Sequence, residues 1–391
     1  MPFIPYSRQN IDDDDIEAVV KVLRSDFLTQ GPAIEAFEKA FVARHNMAHG
    51  VAVCNATAAL HIACLALGAG PGAWIWTSPN SFAASANCAL YCGAKVDFVD
   101  VDPATRNMSV AALRDKLAKT PKEKLPKILI PVDFSGLPCD AREMRDLAGQ
   151  YGFKILEDAS HAAGAVYDGQ PVGSLYADAA VFSFHAVKII TAGEGGLVAT
   201  NDAALAQKLR LLRAHGITRD AGLMKNEPPG AWYYEQIALG FNYRITDIQA
   251  ALGLSQLRRI DQLRQAREKR AVRYDKLLAP LPLILPPRQT DRLSSWHLYA
   301  VEINEMRTAA TRAGVFGALR AAQIGVNVHY IPIHLQPYYA RLGFKRGDFP
   351  YAERYYDRAI SLPLFPAMTD AQQDTVVAAL ADALGVARTA A

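Results

Sequence analysis

The chain has 391 residues, 51% hydrophobic and 21% charged, with 42 Lys plus Arg against 39 Asp plus Glu for a formal charge of +3. That is enough for a large buried core and predicts one large and one smaller domain. The basic residues are scattered, which speaks against a nucleic-acid or membrane-surface partner, and the longest apolar stretch, Val51 to Leu67, is broken by Asn55, Thr57 and His61, short of the roughly 20 residues a membrane span needs.

The opening MPFIPYSRQNIDDDD has no charged segment followed by an apolar one, so no secretory signal is visible and a cytoplasmic location is expected. Asp12 to Asp15 form the one strong charge run, placed to suit the macrodipole at the start of a helix. From about residue 50, short apolar runs alternate with helix-period segments, the pattern of a parallel sheet flanked by helices. A strand at 51–54 leads into a helix with Leu60, Cys64 and Leu67 on one face, closed by Gly68. Strands follow at 74–77 and 96–101; Ser81 is expected to cap the helix between them, which ends near Gly93, and Ser109 to cap the next. Further strands are expected at 128–134, 154–156, 181–184 and 197–200, with Asp140 and Asp202 capping helices ended by Gly152 and Gly216. Beyond Asp247 the alternation gives way to a long polar helical stretch and a proline-rich break, LAPLPLILPP. Residues 296–303 and 326–331 read as strands, 312–322 as a helix, and Thr369 with Gln372 as a capping box for a last helix ending before Gly385. The expected division is a large domain over residues 1–255, N-terminal arm included, and a smaller α+β domain over 256–391. Cys54, Cys64, Cys88, Cys92 and Cys139 are odd in number and lack CxxC pairing, which points to reduced, packed thiols and no metal site.

In open α/β sheets, ligands gather beyond the carboxyl ends of the strands. Three polar segments fall there. Asn55-Ala56-Thr57-Ala58-Ala59 opens a helix whose free N–H groups and Thr57 hydroxyl suit a phosphate. Glu157-Asp158-Ala159-Ser160-His161 follows the fifth strand, and Ser183-Phe184-His185-Ala186-Val187-Lys188 the sixth. Singly each has a plainer reading, since a Thr at a helix start is usually a cap and an acidic pair after a strand a solvated loop. Together they supply what an aldehyde cofactor requires: an anion cradle, a carboxylate to keep a pyridine nitrogen protonated, and a lysine to form the imine. Phe82, at the start of the helix after the second strand, suits ring stacking and a core position equally. Gly193-Glu194-Gly195-Gly196 lacks G-x-G-x-x-G spacing and precedes a strand, so it reads as a turn.

The runs EDASHAAG, VFSFHAVKIITAGEGGLVATND and GFNYRITDIQAALGLSQL resemble the sugar aminotransferase family (DegT/DnrJ/EryC1/StrS) of fold-type I pyridoxal-phosphate enzymes, and the likeness covers nearly the whole chain. Within that family, IPYSRQNIDDDDIEAVVKVLRSDFLTQGP, SFAASANCALYCGA, HGITRD, WYYEQIALGFNYR and GVNVHYIPIHLQPYY are most similar to UDP-4-amino-4,6-dideoxy-N-acetyl-β-L-altrosamine transaminases of pseudaminic acid biosynthesis. The resemblance implies an α/β, fold-type I transferase: a large domain with a mostly parallel sheet flanked by helices, a smaller C-terminal α+β domain, bound pyridoxal 5'-phosphate, and a homodimer with shared active sites. It makes Lys188 the lysine that carries the cofactor and Asp158 the partner of its pyridine nitrogen, the two catalytic residues. It also has Phe82 stack on the ring, Ala56, Thr57, Ala58 and Ser183 reach the phosphate end, His161 lie near the phenolic oxygen, and Asn242 reach the phosphate from the other subunit. Tyr6, Asp26, Phe27, Leu28, Thr29, His329 and Tyr330 then line the substrate site. His185, three residues before the lysine, reads as positioning substrate or loop, ahead of the alternative of a catalytic proton transfer. The family usually has Asn-Ser before the Ala-Thr pair; Cys54-Asn55 here leaves the hydrogen bonding of that first turn open.

The reaction so implied moves an amino group from L-glutamate to C4 of UDP-2-acetamido-2,6-dideoxy-β-L-arabino-hexos-4-ulose, with Lys188 as nucleophile and proton shuttle. Another nucleotide-linked 4-keto sugar is the alternative, because scattered loop residues set the sugar pocket. Three rivals fit less well. A sugar 3-dehydratase on the same cofactor has a His where this chain has Lys188; a non-catalytic cofactor-bound subunit lacks parts of the proton-transfer set; a nicotinamide dehydrogenase needs a glycine fingerprint absent here.

Overall fold

Seven apolar strands of three to five residues build the main sheet: β1 His49–Val53, β2 Trp74–Thr77, β3 Lys95–Phe98, β4 Ile128–Ile130, β5 Lys154–Asp158, β6 Ala179–Ser183 and β7 Gly196–Thr200. In the computed structural model, which describes residues 2–386, their order is β1-β7-β6-β5-β4-β2-β3. Only β7 runs opposite to the other six strands, Val198 facing Val51 of β1 and Val181 of β6. Residues 184–195 contain no helix to make the crossover that a parallel neighbour requires.

Alternation along each strand divides its side chains between two layers. Val51, Val53, Ala179 and Val181 pack with the helix Ala56–Ala66, whereas Ala52, Ala180 and Phe182 pack with Phe37 and Phe41 of the helix Pro32–Arg44. Burial on both faces is why these strands read as unbroken apolar runs.

A second, antiparallel sheet follows, β8 Leu283–Ile284, β9 Tyr299–Ile303 and β10 Ala359–Leu362, with β9 in the middle. Its core includes Tyr299, Val301, Leu319, Val376 and Leu380, and Ile4 joins it through a parallel bridge to Ile324, so the N-terminal arm packs on the C-terminal part. Arg267 of the helix Ile260–Leu278, almost fully buried, donates to the carbonyls of Trp296, His297 and Leu364 at 3.1–3.3 Å and fastens the segment entering β9. Among the described residues, no helix is long and apolar enough to cross a membrane.

Several expected elements differ, each for a local reason. The strand expected at 128–134 stops at Ile130, because Pro131 lacks the N–H to extend the ladder. That at 96–101 stops at Phe98, leaving Val101 a single bridge to Met108. That at 326–331 is absent: Asn327 bridges Ser361 once, its side chain takes the Val328 N–H at 2.8 Å, and the chain turns into the cavity described below. Ser81 does not cap its helix, which spans Ala84–Tyr91 after an uncapped Ala83; its hydroxyl meets Ser85 Oγ at 2.7 Å. Asp140 stands at its helix start but spends its carboxylate on Arg292 at 2.9 Å. The long polar stretch breaks at Arg258-Arg259 into Asp247–Leu257 and Ile260–Leu278, and the helix Ala203–Arg213 ends before Gly216 is reached. The acidic run does more than face a macrodipole. Asp15 is fully buried, bonded at 2.5 Å by both Arg259 and Gln256, and ties the helix Asp13–Leu23 to the sheet's helical cover.

Candidate active site

The carboxyl ends of β1, β5 and β6 open on a cavity of ≈ 620 Å³, within the usual range for small-molecule sites. At the end of β1, Asn55 is the helix cap, its Oδ1 accepting from the Ala58 N–H at 2.8 Å. That resolves the first turn left open by Cys54-Asn55. The Ala58 N–H is spent on the cap and Ala58 lies outside the cavity lining, while Ala56 and Thr57 line it at the positive end of the helix, where an anion is favoured. A Cβ on Gly196 would stand 2.6 Å from the Ala56 nitrogen, so β7 can run beside this cradle only without a side chain.

Asp158 ends β5 at 4% exposure, its Oδ2 accepting from Ser85 Oγ at 2.6 Å and its Oδ1 from the Ser160 N–H at 3.2 Å. Lys188 enters from the β6–β7 connection, where its backbone N–H donates to the His185 carbonyl at 2.9 Å. Burial pulls the Lys188 ammonium down to about 8, against the charge of Asp158, which favours the cation. The same physics neutralises three imidazoles. Burial, joined by the positive charge of Lys188, holds His161 and His297 well below the ordinary range and His329 at about 4.

His161 Nε2 lies 3.1 Å from the Tyr330 hydroxyl, and its ring leans on His297 at 4.3 Å between centroids. Among the described residues, neither imidazole's buried Nδ1 has a partner. His329 Nδ1 meets Ser361 Oγ at 2.8 Å, which sets that ring from β10. Phe82, 62% exposed, stands at the mouth 6.4 Å from the Tyr330 ring, and Tyr6, Ser183 and His185 also line the cavity. Asp26, Phe27, Leu28 and Thr29 do not. They form an exposed loop tied down by a Thr29–Thr246 bridge, and Asn242 is likewise exposed, bridged to Ala214. Sequence reasoning passed over Ser85 and His297. Ser85, one turn after Ser81 on a mostly apolar helix, was a readable signal; a lone His before an apolar strand was not.

The chain matches the DegT/DnrJ/EryC1/StrS aminotransferase family over residues 9–381. It belongs to that family. The spore coat polysaccharide biosynthesis protein SpsC of Bacillus subtilis is 40% identical over 97% of both chains. Among solved structures, Helicobacter pylori PseC, an aminotransferase involved in the biosynthesis of pseudoaminic acid, is 30% identical with a TM-score of 0.89, covering 98% of this chain and 99% of its own. Spr1654 from Streptococcus pneumoniae in its PLP form is 29% identical at a TM-score of 0.88, with the same coverage. The protein is thus a pyridoxal-phosphate-dependent sugar aminotransferase of fold type I. Its own residues fit that cofactor: a helix start for a phosphate, an oriented carboxylate for a pyridinium, and a lysine that burial makes partly neutral near physiological pH.

The rate at which the apoprotein captures pyridoxal phosphate should rise with pH through a midpoint near 8, where the Lys188 amine loses its proton. Asp158→Asn should lower that midpoint, because the carboxylate favours the ammonium. A midpoint near that of free lysine, about 10.4, or none of this shift in the variant, would contradict the pairing.

Proposed function

We propose that this enzyme transfers the amino group of L-glutamate to C4 of UDP-2-acetamido-2,6-dideoxy-β-L-arabino-hexos-4-ulose, giving UDP-4-amino-4,6-dideoxy-N-acetyl-β-L-altrosamine. The full-length likeness to the pseudoaminic acid enzyme PseC supports this reading. The 40% identity to a spore coat polysaccharide protein favours, as second reading, another nucleotide-linked 4-keto sugar.

When bound, pyridoxal phosphate supplies an aldehyde that takes up the amino group and a ring that spreads the charge left by proton removal. The chain's residues do the rest. Ala56, Thr57 and Ser183 bind the phosphate end; Phe82 covers a ring face; His161, neutral, positions the phenolic side. Asp158, held by Ser85 and Ser160, keeps the proton on the ring nitrogen, and Lys188 is both nucleophile and proton carrier. Tyr6, His185, His329 and Tyr330 face the substrate. Asp26 to Thr29 and Asn242, outside this chain's cavity, we assign to the cavity of a second copy in a homodimer, for which exposed Phe27, Leu28, Trp232 and Leu239 offer apolar surface. A division at 255/256 and a cytoplasmic location belong to the same reading.

Two experiments test it. The pyridoxamine form, offered a panel of nucleotide keto sugars, should turn over the UDP-linked 4-keto-6-deoxy-N-acetyl sugar fastest; preference for a dTDP-hexose or a UDP-pentose would transfer the assignment to the second reading. For the shared site, inactive Lys188→Ala is mixed with impaired Asn242→Asp. Each mixed dimer then keeps one intact site, and activity should recover toward about a quarter of wild type with random exchange. No recovery despite exchange confirmed by mass would remove Asn242 from the partner's site.

A further inference from the structure

Behind Asp158, β5 carries a buried group that the mechanism does not use. Glu157 projects from the opposite face of the strand and meets the side chain of Asp133, from the segment after β4. Asp133 is wholly buried and Glu157 is 4% exposed. Asp133 Oδ1 accepts from the Cys139 N–H at 2.8 Å, whereas Oδ2 has no donor among the described residues. The Gly173 N–H lies on the Glu157 side and favours its ionised form, short of offsetting burial. The titratable groups around the pair are Asp158 on β5, the Cys139 thiol and Asp140 from the turn before the next helix, and Tyr167 and Tyr176, which line a small cavity with Glu157. Arg292, beside Asp140, is engaged by Asp140 at 2.9 Å and Asp291 at 2.6 Å.

Two carboxylates in contact, out of water, are far costlier ionised together than with one proton between them. The unpartnered Oδ2 is where that proton fits. We propose that Asp133 and Glu157 share one proton at neutral pH and, with a single net charge, act as a positioning pair that sets the field behind Asp158. Burial pushes both carboxyls above their usual range, which is the direction sharing requires. The backbone of Asp133 contributes as well. Its N–H donates to the Asp158 carbonyl at 3.2 Å, and the Asp158 N–H donates to the Pro131 carbonyl at 2.8 Å, so this segment fixes where Asp158 stands. The link to catalysis rests on the role proposed for Asp158; the shared proton does not.

Infrared spectroscopy of the cofactor-loaded protein at pH 7 should show a protonated-carboxyl stretch in wild type that disappears in both Glu157→Gln and Asp133→Asn, since in each the remaining carboxyl is an anion bonded by an amide. The pH midpoint of the cofactor's visible band reads the charge. Each single variant keeps one negative charge and should stay within about 0.3 of the wild-type midpoint, whereas the double variant, with none, should fall by about 1 unit. No protonated stretch in wild type overturns the shared proton, and that measurement needs no variant to fold. A folded double variant with an unmoved midpoint overturns the link to Asp158. An unmoved midpoint in Asp158→Asn would instead sink the role of Asp158 itself, which keeps the two failures apart.

Discussion

Ser85 Oγ and the Ser160 N–H hold the Asp158 carboxylate 2.6 and 3.2 Å away, in a place only 4% exposed. An anion buried there is tolerable only if it is hydrogen-bonded and answered by positive charge. Lys188 answers in part, because the burial that brings it close also drives its ammonium toward neutrality. The site therefore favours a ligand that brings a cation to Asp158 and an electrophile to Lys188, which are the two ends of a protonated pyridoxal ring. Sheet topology makes the pairing possible. β5 and β6 are parallel neighbours, Asp158 opposite Val181, so the connection after β6 delivers Lys188 to the same sheet end, and antiparallel β7 keeps that connection free of a crossover helix.

The second sheet completes the cavity from the other side. β10 sets His329 through Ser361, and Arg267 clamps the chain at His297, whose ring supports His161. Histidines held this way are neutral near pH 7, so they line the cavity without adding cations that would oppose a charged lysine or pyridinium. Tyr330 and Pro79 lie where the two parts of the chain meet: the Ile333 N–H donates to the Pro79 carbonyl at 2.9 Å, and the Tyr330 hydroxyl reaches His161.

How much of this was legible follows from which signals are local. Strands buried on both faces are short apolar runs, so β1, β2, β5, β6 and β7 could be read directly, and with them the ends where Thr57, Asp158 and Lys188 stand. Strand ends set by long-range partners were not. Residues 326–331 alternate like a strand, yet side-chain bonds from Asn327 and His329 hold them as a cavity wall. Ser81 resembles a cap by position, but its hydroxyl joins the Ser85 chain that leads to Asp158, a contact spanning 73 residues that no pattern reveals. Asp26 to Thr29 and Asn242 came from resemblance alone, and a single chain leaves them exposed.

The claim on which the rest depends is that the lysine facing Asp158 is the residue that carries the cofactor. Reducing the pyridoxal-phosphate-loaded protein with borohydride and mapping its peptides by mass tests this directly. The account predicts the pyridoxyl phosphate mass on the peptide containing Lys188 and its loss in Lys188→Ala. The same mass fixed on any other lysine of the wild-type chain would contradict it.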